Sequence, residues 1–243
     1  AGPTYVALRR HGLLQHTYWY YGLDLIGTVQ DVVNDAIAVV HDQQETSGID
    51  AIELCFTYNY HFVPAEQFRS QFGNVFRGIR GIEIQHQDTI VRYSPTRMIA
   101  NNLSFQKIFE TFLNERSLSA AQFLREGGTI QSFEARQVLV MLSPTVRVLP
   151  LHRGNRIVPI DGLSGDVVAD MAETMGQWML RQIDDDGRMV YKYFPSQGVE
   201  SNANNLIRQF MATLCLVRYA QQTQQPEHSV LATHNLHYNL RQF

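Results

Sequence analysis

Residues 184–220, DDDGRMVYKYFPSQGVESNANNLIRQFMATLCLVRYA, contain three readable segments in a row. Asp184-Asp185-Asp186-Gly187 is a turn signal, because the Asp-Gly step supplies the positive φ that a tight turn needs. Met189, Tyr191 and Tyr193 then alternate with the polar Arg188 and Lys192, the period of a short strand. Asn202 to Asn205 offer N-cap side chains ahead of Leu206, Ile207, Phe210, Leu214 and Val217, which recur at helical spacing. Met211, Ala212 and Cys215 widen that apolar face, so the helix is expected to be buried on most sides. Its first turn carries Arg208 and Gln209, polar groups expected at the mouth of a cleft.

Working outward, Ser164 or Asp166 caps a preceding helix over 167–182, whose apolar face is Val168, Met171, Ala172, Met175, Trp178, Met179 and Ile183. Pro226 starts a last helix. Pro144, Pro150, Gly154 and Pro159 punctuate a connector with one strand or an exposed hairpin, so we place a domain over 1–148, a linker over 149–163 and a helical segment over 164–243.

The N-terminal part reads as strands and short helices. Thr4 to Arg9 and Leu14 to Tyr20 form a hairpin, and Thr28 is read as the N-cap of an amphipathic helix over 29–40. Ile49 to Tyr60 has the apolar density of a central strand. A second hairpin over 78–93, helices capped by Ser104 and Ser119, and a strand over 129–142 complete an α+β domain, a mixed sheet with flanking helices.

A net charge of −3 and a pI near 6.3 leave no electrostatic footprint for nucleic acid, and no apolar run reaches the ~20 residues of a membrane span. Localisation is cytoplasmic by default. The basic residues are nearly all arginine, Lys107 and Lys192 being the exceptions, which suits carboxylate or phosphate recognition by a fixed donor fork. Cys55 and Cys215 sit among apolar neighbours and read as buried free thiols. The histidines form no HExxH pattern, GxSxG and P-loop motifs are absent, and the aspartates of 184–186 lack EF-hand spacing and read as a solvated turn. No metal and no cofactor is expected.

Two resemblances follow from the order of these elements. The hairpin, helix and long strand, then Gly81-Ile82-Glu83-Ile84, the later helices through Leu118, and Ile130-Gln131-Ser132-Phe133-Glu134-Ala135 resemble the layout of an AMMECR-type domain over residues 4–142. That family's Leu-Arg-Gly-Cys-Ile-Gly motif is replaced here by Leu14 to Gly22, so no functional residue carries over. Trp178, Gln182, Asp186-Gly187-Arg188, Tyr191, Tyr193, Asn205, Arg208 and Gln209 resemble the first hairpin of six-hairpin glycosidase-like (α/α) toroids over residues 164–225.

The toroid resemblance implies further hairpins, a longer polypeptide and a carbohydrate-processing or polysaccharide-associated role. The ligand would be a saccharide at Asp186, Tyr191, Tyr193, Asn205, Arg208 and Gln209. The AMMECR resemblance implies the alternative, a non-catalytic interaction or small-metabolite-binding module. Arg208, charged on an apolar helix, is expected in an ion pair with Asp186 or Glu200, the other reading being a ligand contact.

Overall fold

Tyr5, Val6, Ala7 and Leu8 are all buried, as are Ile52, Glu53, Leu54 and Cys55. Burial of every residue in a run requires cover on both faces of a sheet. The computed structural model describes residues 2–22, 24–42, 48–142 and 144–242 and shows that cover. Strands β1 (Thr4–Arg10), β2 (Leu13–Tyr20), β3 (Ala51–Phe62), β4 (Arg80–His86), β5 (Thr89–Tyr93) and β6 (Thr129–Met141) lie in the order β2-β1-β3-β6-β4-β5. Every ladder between them is antiparallel. With 43% helix and 30% strand, and helices flanking the sheet, the fold is α+β.

One face of β1 and β3 presents Val6, Leu8, Ile52 and Leu54 to Val32 of helix α1 (Leu25–Asp42). Tyr5, Ala7 and Cys55 turn the other way, against Trp19 and Ala135. Farther along, Ile82, Ile84 and Ile130 meet Phe72, which follows α2 (Phe68–Gln71), Met98 of α3 (Pro95–Ala100), Phe105, Ile108 and Phe112 of α4 (Phe105–Glu115), and Phe123 of α5 (Ala120–Arg125). Gly81 stands opposite Phe133, and a Cβ there would come within 2.1 Å of the Phe133 ring. The missing side chain lets that ring stack on Tyr60 at 4.8 Å.

Local capping reads as expected at Ser104 and Ser119, whose side chains accept from Lys107 N and Gln122 N, and Ser94 caps a further helix by accepting from Arg97 N. The first helix differs. It starts ahead of Thr28, because Asp24 Oδ1 accepts from Gly27 N at 2.7 Å while the Thr28 hydroxyl donates to Asp24 O. Of its expected apolar face Val32 is buried, and the side chains of Val33 and of 36–40 lie outside the described residues. The connector carries a hairpin, one of the two forms expected of it. Strands β7 (Arg147–His152) and β8 (Asn155–Arg156) form a hairpin that extends the sheet from β6.

The chain divides after Ile157 into two units, the first comprising 1–157 with 195–197 and the second 158–194 with 198–243. The second contains α6 (Gly165–Arg181), the small pair β9 (Tyr193–Phe194) and β10 (Val199–Glu200), α7 (Leu206–Thr223) and α8 (Pro226–Arg241). Its core is small: Leu180, Met189, Leu216 and Ala232.

Two expectations about burial in this unit are corrected. Met175, Ile207, Met211 and Leu214 are 62%, 75%, 63% and 51% exposed, so the apolar stripes of α6 and α7 face outward. The buried face of α7 is instead Gln209, Thr213, Leu216 and Ala220, because it packs on polar groups of α8. Cys215 is exposed for the same reason, whereas Cys55 is fully buried with its Sγ 3.1 Å from Thr96 Oγ1. Burial pushes the Cys55 thiol far above its ordinary range. A chromogenic disulfide reagent should therefore titrate a single thiol, Cys215, in the native protein and both after denaturation. Rapid reaction of both in the native state would contradict this packing.

Candidate functional site

The Asp-Gly turn folds as its sequence suggests. Asp184 Oδ1 accepts from Asp186 N and Arg188 N, at 3.1 and 2.8 Å, and Gly187 takes φ +88°. This turn is held from below by a buried polar network on the facing helices. Asn235 Nδ2 donates to Gly187 O at 2.8 Å, and its Oδ1 lies 2.5 Å from the Thr213 hydroxyl. Asn239 Nδ2 donates to the Thr213 hydroxyl and to Asn235 Oδ1.

The segment that follows is not a strand. Val190 N donates to Gln182 O, and Met189 O accepts from Gln209 Nε2 at 2.8 Å, so its backbone is held by a helix end and a side chain. The expected strand over 189–193 is replaced by an irregular run ending in the two-residue β9, since among the described residues its start is paired only by an isolated antiparallel bridge between Met189 and Ile183. Gln209 is 2% exposed; its Nε2 also donates to Asn204 Oδ1, while its Oε1 has no partner among the described residues. Asn205 caps α7 by accepting from Arg208 N at 3.1 Å.

Two hollows flank this run and share Val190. The smaller, about 110 Å³, is lined by Met189, Val190, Tyr191, Arg208, Gln209 and Ala212. The larger, about 280 Å³, is lined by Arg181, Gln182, Ile183, Asp184, Arg188, Val190, Glu200 and Asn202. Of the six residues predicted for the site, Tyr191, Arg208 and Gln209 therefore come together at one hollow. Asp186, Tyr193 and Asn205 line neither. Asp186 is exposed on the turn with its carbonyl accepting from Arg241, Tyr193 is paired into β9 opposite Glu200, and Asn205 is spent on the cap.

Arg208 does not form the predicted ion pair with Asp186 or Glu200. It is exposed, and among the described residues no acid lies within ion-pair distance of it. The helix turns its apolar stripe outward, so Arg208 leaves the chain at a solvated edge and needs no partner. Arg181 and Arg188, which are not among the six predicted site residues, also have guanidinium groups without an ion pair among the described residues. The arginine-rich basic set was the available signal for them. Three cations thus border the two hollows, alongside a tyrosine ring, a buried amide and the carboxylates of Asp184 and Glu200.

Such a set can hold a polyhydroxylated anion. Guanidinium forks take carboxylate or sulfate oxygens, amide groups take hydroxyls, and an aromatic ring takes an apolar sugar face. No cluster of three metal-ligating side chains occurs among the described residues. No helix among them is long and apolar enough to cross a membrane.

Comparison with known proteins adds little. No family model matches the chain. No curated relative matches it either. It is similar to the crystal structure of uncharacterized protein PH0010 from Pyrococcus horikoshii, at 11% identity and a TM-score of 0.45, over 62% of this chain and 79% of that one. A likeness at that level assigns neither family nor chemistry.

Proposed function

We propose that the second unit binds an acidic saccharide and belongs to a carbohydrate-processing or polysaccharide-associated protein. The observation that carries this reading is the convergence of Arg181, Arg188 and Arg208, each without an ion pair among the described residues, on two adjoining hollows that also present Tyr191 and Gln209. A neutral sugar would leave these guanidiniums without an ionic partner, whereas uronate or sulfate groups would be held by them, with the carboxylates of Asp184 and Glu200 alongside to accept from sugar hydroxyls. The outward apolar stripes, Val168, Met171, Met175 and Trp178 on α6 and Ile207, Met211 and Leu214 on α7, support the toroid-like plan. In that plan each hairpin buries its apolar face against the next.

Calorimetric titration with a trimer of galacturonate, set against the neutral trimer of glucose, tests the reading. The acidic trimer should bind and the neutral one should not, and binding should weaken with added salt. Arg208→Ala should weaken the acidic trimer about fivefold or more while changing stability by less than about 1 kcal/mol, as for a solvated charge. Equal binding of the two trimers, or none of either, would sink the proposal.

A further inference from the structure

The first unit has a hollow of different character on its helical layer. It measures about 230 Å³ and is walled by Phe68, Phe109, Leu124 and Ile130, with Arg69 and Gln106 as its polar members. We propose that it binds a small aryl carboxylate. The Phe68 and Phe109 rings lie 5.6 Å apart, tilted by 36°. Phe109 is braced edge-on by Phe123 at 5.3 Å, and Phe68 rests on Phe72 at 5.0 Å, so the walls are fixed by packing. Ile130, 4% exposed, belongs to the core beneath, and Leu124 is 48% exposed. An aromatic ligand ring meets aromatic edges and faces here in the offset geometry such pairs favour.

The polar end is set by charge. Arg69 is exposed and, among the described residues, has neither an ion pair nor a side-chain hydrogen bond. Gln106 Nε2 gives one of its two hydrogens to Glu110 Oε1 at 2.9 Å. The charged donor at this hollow is the Arg69 guanidinium, whose planar fork matches a carboxylate. The volume lies below the roughly 300–1,000 Å³ of drug-sized sites, so the ligand is compact, on the order of ten non-hydrogen atoms.

The test is a fluorine NMR titration of the full chain with 4-fluorophenylacetate and with its neutral amide. The acid should give a saturable shift and bind about fivefold tighter than the amide, as expected for one exposed charge pair. Arg69→Gln should remove that preference without altering amide binding. Ala120→Leu, which fills the hollow from the start of α5, should abolish both while the melting temperature holds. The absence of a saturable shift, equal affinity for acid and amide, or acid binding unaffected by Arg69→Gln would each overturn the proposal.

Discussion

Replacing Asn235 with alanine is expected to cost the second unit about 3 kcal/mol or more, the scale of several buried polar groups losing partners together. Asn235 is completely buried, and its amide joins three elements: Gly187 of the turn, Thr213 of α7 and Asn239 of its own helix. The truncation orphans the Gly187 carbonyl and leaves the Thr213 hydroxyl and the Asn239 amide short of a partner, in a unit with few buried apolar side chains. Denaturant unfolding followed by Trp178 fluorescence in a Trp19→Phe background would measure it. Asn202→Ala, at an exposed position, is the control and should be near neutral. A loss below about 1 kcal/mol for Asn235→Ala would mean the network contributes little.

In the first unit the corresponding change is Arg9→Ala. Arg9 Nη2 meets Glu53 Oε2 at 2.8 Å, with Glu53 5% exposed and its second oxygen, Oε1, already without a partner among the described residues. Removing the arginine strands a carboxylate in the middle of the sheet, at an expected cost of about 3–5 kcal/mol. The double variant Arg9→Met/Glu53→Leu removes both charges and should recover most of that loss, because an apolar pair of similar size avoids the desolvation of two ions. Denaturant unfolding followed by Trp19, which packs on Tyr5 at 5.3 Å, reports on this region. A double variant as unstable as Arg9→Ala would show that the pair does more than compensate its own burial.

What was legible in the sequence was local. Serine and asparagine caps at Ser104, Ser119, Ser164 and Asn205 were readable because the capping side chain and the amide it serves lie three residues apart. The central strands were readable from their unbroken apolar runs. Helical periodicity showed that Ile207, Met211 and Leu214 share a face, but periodicity does not say which face is inside. The signal that decided it was fainter: Gln209 and Thr213, and Asn235 and Asn239, each pair spaced by four, form complementary polar stripes on α7 and α8. Arg9 and Glu53 are separated by 44 residues, and no local pattern could have joined them. At the site, Tyr191, Arg208 and Gln209 are neighbours in sequence or follow a cap, so they were found. Arg181 and Arg188 reach the larger hollow only because the turn at Asp184 folds the chain back on itself.

We propose the run from Met189 to Tyr191 and its flanking arginines as the site for an acidic saccharide. Amide chemical-shift mapping of the isotope-labelled chain with the galacturonate trimer tests it most directly. Shifts should be confined to residues 181–191 and 200–212, saturate with the trimer and be absent with neutral maltotriose. Shifts spread over the first unit, or the same pattern with the neutral sugar, would contradict it.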